Sequence, residues 1–478
     1  MSEGAIVWNR LRKSRFFRAL ILLNCSLFFI LLTACNIGDD PAWGHVDDIL
    51  RNIESPEIPD RDYDITAFGA VSDTTIDSRE SIMKAINSCN AEGGGRVIIP
   101  GGTFLSNGPI HLKSNVHLFL ARGARLEFGT NVKDYLPVVL TRFEGTELFG
   151  YSPFIYAYQA TDIAITGSGI IDGNARRSFV PWKHLQTDDK NILRQMGNDC
   201  VPVNERVMGE GHYIRPSMLQ LYGCKNVLIE GITLVDSPFW VIHPVFCEDV
   251  VVRGVTVDSW NYNNDGVDPD GCENVLIEDC TFNCGDDAVA IKAGRDQDGW
   301  RVGQATENVV IRNCDMNSRT NGLCIGSEMS AGVRNIFMEN CRVGEAHSTI
   351  YFKANLDRGG VIENVYVRDI TVKRAKTAFI RFESNYKGHR GNYYPTQFKN
   401  FTIEDITCEE ADQYGVYAVG IEGTPIRNVT IRDVDVQSAK VPTFALFLSD
   451  FQLVDVEMND SLITKLQDTP QETENLTW

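Results

Sequence analysis

The amino-acid sequence predicts an all-β fold, a right-handed single-stranded parallel β-helix closed at its N-terminal end by a capping helix. Three observations lead there: a strand phrase that recurs at solenoid spacing, an asparagine at the same place in nearly every copy, and no helical period between copies.

The phrase starts with Asn and alternates apolar and polar residues up to a turn. It reads Asn226-Val-Leu-Ile-Glu-Gly-Ile-Thr-Leu, Asn274-Val-Leu-Ile-Glu-Asp-Cys-Thr-Phe and Asn308-Val-Val-Ile-Arg-Asn-Cys-Asp-Met, then returns from Asn335, Asn364, Asn400 and Asn428. Asp249-Val-Val-Val-Arg-Gly-Val-Thr-Val fills the gap after the first copy. Period-two alternation rich in Val, Ile and Thr means strands with one buried face. Copies lie roughly 23 to 36 residues apart, the range of solenoid repeats, and one repeat cannot bury its own apolar face without a neighbour. Asn tolerates the left-handed backbone of a tight turn, and its amide can bond to the next Asn in the stack. A leucine-rich horseshoe or βαβ sheet would need intervening helices, and a propeller would need hairpins.

The elements before the repeats follow in chain order. Arg10, Arg12, Lys13, Arg15 and Arg18 precede an almost wholly apolar run, Ala19 to Leu32, which is short for a bilayer span. It ends in Leu32-Thr33-Ala34-Cys35, which resembles the bacterial lipobox. That resemblance implies a signal peptide over residues 1–34, cleavage before Cys35 and a lipid on its thiol, with Asn36 pointing to the outer membrane. The expected location is the bacterial cell envelope, with membrane attachment through the lipid. A plain secretory signal or a transmembrane helix is the alternative. Residues 35–59 read as lipidated cysteine and tether, since Asp39 to Pro59 carries Pro and acidic residues. The β-helix domain is expected over 60–478. Asp77 to Cys89 has an Asp or Ser to start a helix and apolar residues at helical spacing, so it is the capping helix, ended by Gly93-Gly94-Gly95. Such a cap covers the open strand edge of a solenoid. Pro181 to Gly211 shows no repeat and reads as a long loop overhanging one face.

Composition narrows the function. A charge of −19 over 478 residues excludes a nucleic-acid partner, because no basic face is available for phosphates. Local cations in a groove can still receive an anionic ligand. Beyond Cys35, eleven cysteines remain in the mature chain, an odd number. Cys280, Cys314 and Cys341 share one offset in the repeat and read as stacked free thiols. No zinc spacing is present, and no metal or cofactor is expected.

Chemistry concentrates where strands meet turns: Asn263-Asn264-Asp265-Gly266, then Gly285-Asp286-Asp287 with Lys292, and two coils later Tyr351-Phe352-Lys353. Adjacent carboxylates are costly to ionise together, so a stack of them points to function. A calcium loop is the bland alternative; its twelfth position is Cys272 instead of Glu.

These motifs resemble glycoside hydrolase family 28, the polygalacturonase family. Asp64-Ile-Thr-Ala-Phe-Gly-Ala-Val, Gly93-Gly94-Gly95-Arg96-Val97 and Gly123-Ala124-Arg125-Leu126 resemble the usual opening of pectin-active β-helices. Asn263-Asn264-Asp265 matches the family's Asn-Thr-Asp, Asp286-Asp287 its Asp pair, Gly322 to Met329 its Gly-Ser region, and Lys353 the lysine of Arg-Ile-Lys. The resemblance implies inverting hydrolysis of galacturonate-containing bonds in pectic polysaccharide or oligosaccharide by a monomer, with Asp286 as acid and Asp265 with Asp287 handling the water. Asn263, Lys353, Lys292, Tyr351, His243 and Arg215 are the expected substrate-binding residues. Lys292 reads equally as a salt bridge to the acids, and His243 as a packed structural residue. Two departures stand out: Arg319-Thr320-Asn321-Gly322 has no histidine where the family has Gly-His-Gly, and Tyr351 replaces an arginine. Both lower the expectation for endo-cleavage of plain homogalacturonan and raise it for exo action or decorated, rhamnose-containing oligomers. Asn385 to Tyr394 and Pro181 to Gly211 are inserts able to close one end of a groove. A calcium-dependent pectic lyase and a non-catalytic pectin-binding surface lipoprotein are the competing readings.

Overall fold

A computed structural model describes residues 41–468, so the proposed signal peptide and Cys35 lie outside the described residues. Strands stack in parallel register through the domain, coil upon coil. One ladder of buried side chains runs Val227, Val250, Val275, Val309, Ile336, Val365, Phe401 and Val429. Each coil has three arms. The first carries the recurring phrase, as in Glu248–Arg253 and Glu273–Glu278. The second follows the next turn, as in Thr256–Ser259 and Thr281–Cys284. The third is short, as in Val289–Ile291 and Asn321–Ile325. A second core ladder, Val289, Leu323, Ile350, Ile380 and Val416, belongs to this third arm. Every large aliphatic buried this way contributes about 1.5–3 kcal/mol, so the fold rests on repetition of one inward pattern.

The asparagine stack forms as the phrase predicts. Asn308 donates to Asn274 Oδ1 at 3.1 Å, Asn335 to Asn308 at 3.1 Å, Asn364 to Asn335 at 3.1 Å, Asn400 to Asn364 at 2.9 Å and Asn428 to Asn400 at 2.7 Å. Each sits at positive φ, between 54° and 63°, where a branched side chain would be strained. Cys280, Cys314 and Cys341 are buried free thiols.

The cap is helix α2 (Arg79–Ala91), preceded by α1 (Gly44–Asn52). Ile82, Ala85, Ile86 and Cys89 of α2 are buried, and Asp77 Oδ1 accepts from the Arg79 amide at 3.0 Å to start it. Helix α1 corrects the tether reading for its part of residues 35–59. Trp43, Val46 and Ile49 pack on Val251, Leu276, Val310 and Phe337 of the first arms. The Trp43 indole donates to Glu404 at 3.3 Å, and the Arg368 guanidinium lies 3.9 Å from its ring. Acidic and Pro residues dominate the composition there and mask three apolar side chains at helical spacing.

Pro181 to Gly211 is likewise more ordered than a loop. It contains helix α3 (Thr187–Asn198), held by Asp189, whose carboxylate accepts from the Tyr213 amide at 2.6 Å and lies 2.7 Å from His212 Nδ1.

Candidate active site

The acids are presented by turns that lock onto the coil before them. Asn264 donates to the carbonyls of Ser237 at 3.1 Å and Phe239 at 2.8 Å, and accepts from Ser259 Oγ at 2.6 Å. That clamp, with Asn263 at φ 57°, sets the direction of Asp265. On the next coil Gly285 nests so tightly that a Cβ would stand 1.9 Å from the Asn261 carbonyl, which brings Asp286 and Asp287 beside Asp265. One oxygen from each of the three carboxylates lies within 4.8 Å of the others.

Their surroundings split their protonation. Burial, then the charge of Asp287, pushes Asp286 above the usual carboxylate range. Burial also pushes at Asp287, but Lys353, Lys292, Thr320 and Asn321 outweigh it and hold that carboxyl below the usual range. Lys353 Nζ stands 3.5 Å from Asp287 Oδ2, and Asn321 Nδ2 donates to Oδ1 at 2.5 Å. Thr320 Oγ1 lies 2.8 Å from Asp286 Oδ1 and 2.6 Å from Asp287 Oδ1. A hydroxyl has one hydrogen, so it satisfies both carboxyl groups when one of them is protonated. Asp265 is raised well above its usual range by burial and by Asp268 and Asp286. Asp268, fully buried behind it, is raised too, chiefly by burial. The arrangement therefore offers a proton donor, an ionised carboxylate and a second acid pair within one small volume.

The trio opens into a cavity of about 360 Å³ also lined by Asn263, Lys292 and Lys353. Asn263 Nδ2 donates to Asp286 Oδ2 at 3.2 Å. Lys292 is buried among acids, 3.9 Å from Asp265 Oδ2 and 3.5 Å from Glu328 Oε2, and donates to the Gly326 carbonyl at 2.9 Å. Three expected binding residues do not reach the cavity wall. His243 is fully buried, with its ring 4.7 Å from Trp240 and Nδ1 near Gln220 at 2.9 Å and Ser217 at 3.0 Å. Arg215 is buried too, and spends its donors on Asn263 Oδ1 at 2.7 Å and the carbonyls of Pro238 and Tyr262 at 3.0 Å. It orients Asn263 instead of touching a ligand. The Tyr351 ring is covered by Arg381 at 4.5 Å and Lys353 at 5.2 Å, with its hydroxyl bonded to Glu383. No ring face is left there for a sugar.

Other lining residues were not singled out in the sequence: Glu144, Lys190, Arg194, Arg295 and Lys387; Glu328, also in the wall, belongs to the matched Gly322 to Met329 stretch. Lys190 and Arg194 come from α3; the helical spacing of Leu193 with Met196 and the acidic start Asp188-Asp189 are the signals that reveal such a helix. Arg194 donates to Asp296 Oδ2 and Asp357 Oδ2, both at 2.8 Å, and to the Gly388 carbonyl at 2.9 Å. Arg390 reaches back to Asn191 Oδ1 at 3.1 Å. The two inserts thus meet over the same end of the cavity. Most of its cations are neutralised by protein carboxylates, whereas Lys387 has no acidic partner among the described residues.

Comparisons with known proteins agree with this geometry. Residues 139–446 match the model of Glycosyl hydrolases family 28. A probable polygalacturonase of Vitis vinifera is 30% identical over 420 residues, covering 82% of this chain and 79% of its own. An exopolygalacturonase from Thermotoga maritima superposes with a TM-score of 0.84 at 38% identity, over 87% of this chain and 96% of the other. The family 28 exopolygalacturonase of Yersinia enterocolitica, at 22% identity and a TM-score of 0.68 over 86% and 78% of the two chains, shares the fold. With the matched family model covering the strand arms that carry all three carboxylates, this chain belongs to glycosyl hydrolases family 28.

Proposed function

We propose that the protein is an exo-acting galacturonan hydrolase that removes terminal galacturonate, with Asp286 as general acid. The meeting of α3 with the 385–394 insert over one end of the cavity carries the exo assignment, because a chain cannot pass through that wall. The 38% identity to an exopolygalacturonase supports it. Cations in the cavity, Lys387 above all, suit a uronate carboxylate.

Asp286 donates its proton to the glycosidic oxygen as the bond breaks. Asp287, ionised at rest, takes a proton from the attacking water, and Asp265 positions that water. Family membership points to inversion, with water attacking the face opposite the leaving group. Proton NMR of the first-formed sugar tests this: inversion of an α-linkage delivers the β-anomer.

The test is the product profile on polygalacturonate. Monomer from the first minutes, with viscosity falling slowly, is expected; early mixed oligomers would exclude exo action. Rhamnogalacturonan-derived and decorated oligomers serve as comparison substrates. The close trio of acids also has the form of a cation site, which favours a calcium-dependent lyase as second reading. Activity that survives chelator and yields saturated products excludes it; loss restored by calcium, with unsaturated products, establishes it.

The protonation split sets a pH dependence. Turnover needs Asp286 protonated and Asp287 ionised. It falls as pH rises through the raised Asp286 value and again as pH falls through the depressed Asp287 value. A bell in kcat/KM is expected, its alkaline limb lying above the ordinary carboxylate value of about 4. A limb at or below that value would contradict Asp286 as the acid.

Attachment to the envelope through a lipid on Cys35 belongs to the same proposal and is supported by Leu32-Thr33-Ala34-Cys35 and the apolar run before it.

A further inference from the structure

On the far side of the acids from the wall lies an unassigned cluster. Trp260 and Tyr262 are 40% and 48% exposed, two aromatic faces open to solvent in one short segment. The Arg319 guanidinium sits between them, 5.4 Å from the Trp260 ring and 5.6 Å from the Tyr262 ring. Its one hydrogen bond among the described residues goes to the Trp260 carbonyl at 3.0 Å, and it has no carboxylate partner there. Arg319 is thus held in place by neutral groups with donors to spare. Those donors, partly open to solvent, can meet an incoming anion.

Chain order places the cluster relative to the chemistry. On each coil the third arm runs from the acids toward the wall. Trp260 and Tyr262 precede Asp265, and Arg319 precedes Thr320, the residue that bonds Asp286 and Asp287. The wall residues follow: Lys292 and Arg295 after Asp287, then Asp357 and Arg358 after Lys353. At about 3.3 Å per residue, an arm separates the two groups by more than the length of one sugar. The cluster is also tied to the acid, since Arg215 donates to the Tyr262 carbonyl at 3.0 Å and to Asn263 Oδ1 at 2.7 Å, while Asn263 bonds Asp286.

We propose that Trp260, Tyr262 and Arg319 form a second uronate subsite, which grips the galacturonate chain beyond the scissile bond. The inference rests on the exo reading, in which the terminal sugar fills the walled cavity and the remainder must leave past the acids. An aromatic ring covers the apolar face of a sugar and the guanidinium meets its carboxylate.

Calorimetry in an Asp286→Asn background tests it, with galacturonate and trigalacturonate as probes. Trp260→Ala and Arg319→Gln should each weaken trigalacturonate binding about tenfold and leave galacturonate affinity unchanged, with Arg319→Lys recovering part of the loss. Unchanged trigalacturonate affinity in both variants would overturn the subsite. So would a parallel fall for both probes, which would mean that the cluster merely supports the Asn263 turn. The exo reading fails separately, through mixed oligomers from the wild-type enzyme, and these binding measurements would still report on the subsite.

Discussion

Asp286→Asn is expected to lower kcat at least a hundredfold while leaving the unfolding temperature and oligosaccharide binding close to wild type. A general acid contributes about 10²–10⁴-fold. Asn keeps the shape and can still meet Thr320 and Asn263, but it has no proton to release at the glycosidic oxygen. Asn matches the neutral, protonated form that Asp286 takes beside the ionised Asp287, so the fold should not suffer. Asp286 is no structural residue: a carboxyl raised by burial and by its neighbour is in a place that stability alone would not choose. Activity within a few fold of wild type would sink its assignment as the acid.

Arg194→Ala should have the next largest effect, and on a different property. Its guanidinium joins α3 to Asp296, Asp357 and the Gly388 carbonyl, so it is the pin between the two inserts. Removing one partner of a buried pair leaves a carboxylate uncompensated and costs about 3–5 kcal/mol. Asp296 keeps Arg358, and Asp357 keeps the Arg390 amide at 2.8 Å and Asn392 at 2.9 Å, which puts the cost at the lower end. The β-helix core is untouched, so the variant should fold with a lowered unfolding temperature. With the wall loosened, polygalacturonate viscosity should drop severalfold faster per bond cleaved, with oligomers beside the monomer. Monomer as sole product, at unchanged viscosity loss, would show that the wall does not set the mode of attack.

The parts of this protein that were legible in its sequence are those written locally and repeated. Alternation along Asn274 to Phe282 specifies a strand with one buried face, and its return along the chain specifies a stack. Asn at the turn predicts both the left-handed backbone and the amide ladder that forms. Asp265, Asp286, Asp287 and Lys353 converge because in-register stacking brings residues one or two coils apart in the chain close together in space. What decided the rest was packing between segments far apart in the chain. Tyr351 points away from the core, as alternation requires, yet Arg381 and Glu383 from the next coil close over it. His243 and Arg215 looked like groove residues by their neighbours in sequence, and lie beneath Trp240 and behind Asn263. Helix α1 was hidden by the acidic residues around it until its three apolar side chains found Val310 and Phe337. The wall depends on Arg194 meeting carboxylates 102 and 163 residues later in the chain. A periodic pattern fixes what each residue does within its own coil; which outward side chains stay open to a sugar is settled by the segments that dock over them.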